Sequence, residues 1–232
     1  MMSTSESSPR IVSFSGIDGA GKTTQLLEFE TWLRQSGLRT TLVTFWDDIV
    51  VLPRFREFIS HKAFKGDAGV GSPEKPLQRR DKNVTAWPVT AMRFFLYAAD
   101  AANLHLNIRK LRKSNTDVVI FDRYIYDELA NLPLQNFLTR VFLWLAARIV
   151  PLPDVAYLID ADPTAAFVRK PEYPLDFLRR NRAAYLTLAR LFGGVTVIEP
   201  ASIAIVGMSI KKRMLQELSG SPSELSELPV LP

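Results

Sequence analysis

The sequence predicts an α/β fold built around a parallel sheet. Short β-branched and apolar runs alternate with amphipathic helical stretches along the chain, which implies right-handed crossovers. The first run, Ile11–Ser15, leads straight into a glycine-rich turn and then a helix. The chain has 232 residues, enough for one compact domain with little room for a second.

The elements follow in order. Leu26, Phe29 and Leu33 recur at helical spacing after the turn, and Gly37 is placed to stop that helix. Thr40–Trp46 reads as the second strand. His61–Trp87 carries Gly, Pro and charge with weak periodicity and reads as a long mobile loop. Pro88 can begin a helix that runs to about Lys113. Asp117–Phe121 is the third strand and ends at Asp122-Arg123-Tyr124. Leu134–Val150 is helical, Val155–Asp160 is the fourth strand, and Pro163–Val168 is a short helix. A basic, proline-broken segment at 169–174 precedes an amphipathic helix, Leu175–Phe192, which Gly193-Gly194 ends. Val195–Glu199 is the fifth strand and Ser202–Leu218 the last helix. The expected organisation is a disordered tail at 1–9, a domain at 10–218 and a flexible tail at 219–232.

Composition narrows the function classes. Hydrophobic residues make up 47% and charged residues 23%, which suits a packed core rather than wholesale disorder. Cysteine is absent, so disulfides, thiolate chemistry and Cys-based zinc sites are excluded. Two histidines, His61 and His105, are too few for a His-rich metal site. The formal charge of +5 fits a polyanionic small ligand better than nucleic acid, because the basic residues form no block and no aromatic-rich motif accompanies them. The apolar stretch Val141–Val150 is interrupted by Arg148 and is too short to span a bilayer, and the first residues hold no apolar leader. A cytoplasmic enzyme with no nucleic-acid or membrane partner is the expectation.

The motif that carries chemistry is Gly16-Ile-Asp-Gly-Ala-Gly-Lys-Thr23, a P-loop pattern set between a buried strand and an amphipathic helix. A phosphate chain must lie against backbone there. The loop therefore needs small side chains and unusual dihedrals, while its amides and the helix N-terminus point at the anion. Gly16, Asp18, Gly19, Ala20, Gly21, Lys22, Thr23 and Thr24 are the candidate ATP-binding residues, with Lys22 near the outer phosphates and the Thr23 hydroxyl on Mg²⁺. Asp122 ends an apolar strand, where a carboxylate can hold Mg²⁺ directly or through water. Arg123 can fork onto phosphate oxygens.

These motifs and their spacing resemble thymidylate kinase over about residues 10–215. The sharpest pieces are Gly-Ile-Asp-Gly-Ala-Gly-Lys-Thr-Thr (16–24), Leu-Tyr-Ala-Ala-Asp (96–100), Phe-Asp-Arg-Tyr (121–124) and Tyr-Leu-Ile-Asp-Ala-Asp-Pro (157–163). Phe177–Ala189, including Tyr185, looks like the family's helix after the lid, and Ile198–Ser202 like the loop bordering the adenine. That places Pro200 and Ser202 on the nucleotide. The resemblance implies the three-layer α/β/α P-loop NTPase fold with a five-stranded parallel sheet. It also implies ATP with Mg²⁺ as donor, a nucleoside monophosphate as acceptor (dTMP by default), and a homodimer. It puts Arg123 on the acceptor phosphate, a lid at 169–174 over the donor, and Arg169 with Lys170 as candidates for charge stabilisation. Tyr97, Tyr124 and Asp127 fall in the acceptor region.

The acceptor half departs from the family. Phe45-Trp46-Asp47-Asp48 replaces an acid followed by Pro-Gly-Gly, which leaves Asp47 or Asp48 to orient the acceptor or a Mg²⁺-bound water. Ala101 stands where the family carries the arginine that reads the thymine edge. Asp127 and Glu128 replace two small polar residues. Loss of a base-reading donor costs discrimination, so a nucleoside or another small hydroxyl acceptor stays open, as does a nucleotide-binding regulator without an acceptor.

Overall fold

The computed structural model describes residues 8–52, 56 and 87–219. The expected loop at 61–86 and the tails at 1–7 and 220–232 lie outside the described residues. Five strands form one parallel sheet: β1 (Arg10–Ser15), β2 (Thr40–Thr44), β3 (Val118–Asp122), β4 (Val155–Ile159) and β5 (Val195–Ile198), in the spatial order β2-β3-β1-β4-β5. The three inner strands are near-continuous apolar runs, as strands covered on both faces require. Ile11, Val12, Phe14, Val119, Ile120 and Phe121 are wholly buried. The edge strands β2 and β5 are only partly covered.

Seven α-helices are described: α1 (Lys22–Gln35), α2 (Trp87–Leu111), α3 (Ile125–Leu129), α4 (Phe137–Ile149), α5 (Pro163–Arg169), α6 (Leu175–Phe192) and α7 (Ile203–Ser219). Helix α1 lays Leu26, Phe29 and Leu33 on the sheet, and the Phe29 ring meets Phe14 at 5.5 Å. Gln25 Nε2 donates to the Ile203 carbonyl at 2.9 Å, which joins α7 to α1. Helices α2 and α4 meet through stacked Phe94 and Phe142 rings, 4.7 Å between centroids. Opposite the loops, Asp154 accepts the Ile11 amide at 2.7 Å and pairs with Arg112.

Several boundaries differ from the sequence expectation. The second strand stops at Thr44 rather than Trp46, because the Asp48 carboxylate takes the Thr44 amide at 2.7 Å and Phe45–Ile49 winds into one π-helical turn closed by Val50 N–H on Phe45 O. Helix α2 already contains Trp87, which the sequence placed in the loop. Helix α4 starts at Phe137, three residues later than expected. The short α3 was not anticipated: five residues are too few to show a 3.6-residue period. Arg169 is the last residue of α5 rather than the first of the lid. The following segment is packed down, with Glu172 and Tyr173 buried.

Order in the β2–β3–β1 half depends on a run of buried rings. Phe121 lies edge-to-face on Tyr124, 5.4 Å apart at 88°. Truncation of such a ring leaves a cavity that the surroundings fill only in part. Phe121→Ala is therefore expected to lower the unfolding free energy by about 3–5 kcal/mol, measured by urea denaturation.

Candidate active site

The loops that carry Lys22, Arg123 and Asp160 leave the carboxyl edge of the sheet. The strand order reverses around β1, so the loops after β1, β3 and β4 border one crevice, the usual ligand position in open α/β sheets. The loop after β1 is built for close approach. Gly16 has φ 145°, and a Cβ there would stand 2.4 Å from the Ile159 carbonyl oxygen. Gly19 has φ 83°, and its Cβ would stand 2.4 Å from the Ala166 carbonyl oxygen on α5. Gly21, at φ 85°, turns the chain into α1 and leaves open space beside it. Side chains are excluded at the first two positions by backbone that cannot yield.

Lys22 folds back across this loop. Its buried ammonium donates to the carbonyls of Gly16 and Ile17, both at 2.8 Å. Thr23 and Thr24 occupy the exposed first turn of α1. Asp122, half-buried, ends β3 next to β1, where it pairs in register with Phe14. Thr23 and Asp122 thus offer a hydroxyl and a carboxylate, the hard oxygen donors that suit Mg²⁺. No group of three or more His, Cys, Asp or Glu gathers among the described residues.

Arg123 follows at φ 72°, a left-handed conformation that costs a non-glycine residue about 1–3 kcal/mol. Its amide donates to Phe14 O at 3.0 Å. Its guanidinium donates to Asp18 Oδ1 at 2.6 Å and to Asp127 Oδ1 at 2.9 Å. Burial pulls the Arg123 pKa down, but Asp18, Asp127 and Tyr185 outweigh it and hold the group above the ordinary arginine value. Asp127 in turn accepts Ser15 Oγ at 2.6 Å, the Tyr185 hydroxyl at 2.8 Å and the Tyr124 amide at 3.3 Å. Burial first, then Asp127, raises the Tyr185 pKa well above its usual range, so its hydroxyl remains a donor.

No family model matches the chain. A thymidylate kinase of Bifidobacterium longum subsp. infantis is 30% identical over 191 residues, covering 77% of this chain and 73% of its own. The chain belongs to the thymidylate kinase family. A thymidylate kinase of Prochlorococcus marinus is 25% identical over 224 residues, covering 90% of this chain and 97% of its own. The thymidylate kinase structure of Candida albicans superposes with a TM-score of 0.62 at 15% identity, over 91% of this chain and 93% of its own, which shows a shared fold. The protein is accordingly an ATP-dependent kinase of this family.

Several predicted site residues make contacts that the sequence did not indicate. Asp18, expected on the nucleotide, is turned onto Arg123. Tyr124, expected to line the acceptor, is wholly buried among Phe45, Phe121 and Tyr126 and donates its hydroxyl to Pro151 O at 2.5 Å, so it belongs to the core. Asp47 is exposed on the π-helical turn, and Asp48 beside it is held by the Thr44 amide. Arg169 is exposed at the end of α5, and Lys170 pairs with Glu172 at 3.4 Å. Pro200 and Ser202 sit in the exposed turn that leads into α7, where Ser202 O accepts the Val206 amide at 3.0 Å.

The structure adds residues that sequence reasoning missed. Arg182 on α6 forks onto Asp160 at the end of β4, both contacts at 2.6 Å. Tyr97 on α2, which the sequence did single out, is buried beside a polar cluster that it did not reveal. There Arg56 bridges Asp100 and Glu128, the latter at 2.6 Å, and Asp100 also accepts the Val51 amide at 2.7 Å. Asp100 and Glu128 are both wholly buried. No spacing rule links positions 56, 100 and 128. The only signal was the unusual pair of acids after Asp-Arg-Tyr.

Burial foremost, then the neighbouring Asp100, raises the Glu128 pKa well above its ordinary 4.5, against the opposing pull of Arg56. A raised acid pKa means that the folded state holds the proton longer. The contribution to stability is therefore fullest below about pH 4.5 and is lost as pH rises toward the folded value. Glu128→Gln is expected to remove a downward slope of up to about 1.4 kcal/mol per pH unit from the unfolding free energy above that point. Urea titrations of both proteins across pH 4.5–8 check it, and equal slopes would contradict the assignment.

Proposed function

We propose that the protein transfers the terminal phosphoryl group of ATP to a nucleoside monophosphate, with dTMP the first candidate. One observation carries the reading. A glycine loop open to polyphosphate, with Lys22 across it, sits one strand away from an arginine fork on the next loop. Donor and acceptor phosphates held at those two points are brought together at the crevice, and phosphoryl transfer asks for position and charge more than covalent chemistry.

In this reading Lys22 leaves the Gly16 and Ile17 carbonyls and places its charge on the donor phosphates. Loop amides of residues 16–24 and the start of α1 bind the same anion. Thr23 and Asp122 would hold Mg²⁺, whose charge would offset that of the phosphate oxygens. Arg123 grips the acceptor phosphate, Tyr97 lines the base end, and Asp47 orients the acceptor from the turn after β2. Arg169 moves in over the transferred group, while the 169–174 segment keeps water out. Pro200 and Ser202 border the base of ATP.

A second reading, a nucleoside or other hydroxyl acceptor, is favoured by Ala101 and by the acids at 127 and 128. A transfer screen with labelled ATP over nucleoside monophosphates, nucleosides and sugars separates the two. Labelled product from dTMP supports the first. Product only from unphosphorylated acceptors supports the second, and ADP release independent of any acceptor refutes both.

We also propose a homodimer. Helix α2 turns Ala91, Phe95, Ala98, Ala102 and Leu106 outward, and α4 leaves Phe137, Trp144 and Ile149 exposed among the described residues. Such faces on a charged protein call for a partner surface. Sedimentation equilibrium should show a dimer that Phe95→Glu dissociates.

Lys22→Ala is expected to lower turnover by about a hundredfold to a thousandfold with the circular dichroism spectrum retained. Turnover near the unaltered value would remove Lys22 from the mechanism.

A further inference from the structure

The Asp127 side chain is heavily engaged at the site. Its buried carboxylate receives donors from three separate parts of the fold: Ser15 at the end of β1, Arg123 and the Tyr124 amide in the β3–α3 turn, and Tyr185 on α6. It is pinned and cannot swing aside when a ligand arrives. Asp18 holds the other arm of the same guanidinium. Each arm of the fork that would grip an acceptor phosphate is thus already bonded to a carboxylate, in a place where water screens little.

We propose that Asp127 is a positioning residue that fixes the Arg123 fork while weakening its attraction for the acceptor phosphate, so that the site discriminates only modestly between a phosphorylated acceptor and its unphosphorylated counterpart. This rests on the reading that Arg123 faces the acceptor. An incoming phosphate dianion must share the arginine with a carboxylate that three other donors keep in place. Like charges a few ångströms apart oppose each other enough to change affinity by about tenfold or more even at an intermediate dielectric. The benefit is geometric: a long side chain on a strained backbone is held in one orientation before substrate binds.

Asp127→Asn tests this. The amide keeps the shape and one oxygen for Ser15 or Tyr185 but removes the charge. With ATP·Mg²⁺ and dTMP, KM for dTMP should fall by about tenfold or more while KM for ATP stays unchanged. Ser15→Ala is the control, since it removes one donor and keeps the charge, and its KM for dTMP should stay near that of the unaltered protein. If Asp127 is only scaffolding, both variants lose thermal stability and raise KM together, and the proposal is overturned. An unchanged KM in Asp127→Asn overturns it equally.

Should Asp127→Asn not fold, the unaltered protein still decides. Calorimetry should find dTMP bound no more than about tenfold tighter than thymidine, and a ratio on the order of a hundredfold overturns the proposal. Calorimetry needs no turnover, which keeps the two readings apart. Failure to phosphorylate dTMP with the modest ratio intact sinks the acceptor assignment and leaves the role of Asp127 standing. Rapid phosphorylation with a large ratio does the reverse, and binding of neither ligand overturns both.

Discussion

A methyl-sized group on Gly16 would stand 2.4 Å from the Ile159 carbonyl oxygen, and one on Gly19 would meet Ala166 O at the same distance. Both obstacles are backbone, one on the central strand pair and the other on α5, so neither can move without shifting the sheet or the helix. The loop after β1 is thereby clamped between β4 and α5 in a form that only glycine tolerates. Lys22 closes across the same loop onto the Gly16 and Ile17 carbonyls. The position of every other functional group follows from this clamp: β3 delivers Asp122 and Arg123 beside it, and β4 delivers Asp160 for Arg182.

The loop after β1 and the turn after β3 differ in how they are stabilised. The loop after β1 is shaped by glycine backbone and by Lys22, whose ammonium donates to the Gly16 and Ile17 carbonyls. The region after β3 holds buried ion pairs, with Arg123 between Asp18 and Asp127 and Arg56 between Asp100 and Glu128. Buried pairs of this kind contribute little net stability, because desolvation offsets their attraction. They do fix orientation, and they make the region sensitive to the loss of any one charge. The raised pKa of Glu128 expresses the same crowding, with two acids sharing one arginine away from water.

The glycine loop after β1 was legible in the sequence because its constraints are local. A P-loop compresses turn, amide cradle, lysine and hydroxyl into consecutive positions, and the apolar run before it marks a doubly covered strand. The inner strands were equally plain, since Val118–Phe121 and Val155–Ile159 have no polar interruption. The short α3 and the π-helical turn escaped because both are set by a carboxylate reaching back to a backbone amide, Asp127 to Tyr124 and Asp48 to Thr44, which leaves no periodic trace. Tyr124 looked like a pocket residue from its place beside Arg123, yet the turn directs it into the core.

The sequence by itself determined the fold class, the phosphate loop and the family to which the acceptor departures could be compared, because each of these is written in contiguous residues or in strand and helix periods. Only the tertiary structure decided what Asp18, Asp127 and Glu128 do. Their partners lie 105, 112 and 72 positions away, at Arg123, Ser15 and Arg56. Charge pairing at that separation depends on which loops the sheet order brings together, and strand order is settled by the packing of whole faces rather than by any local run of residues.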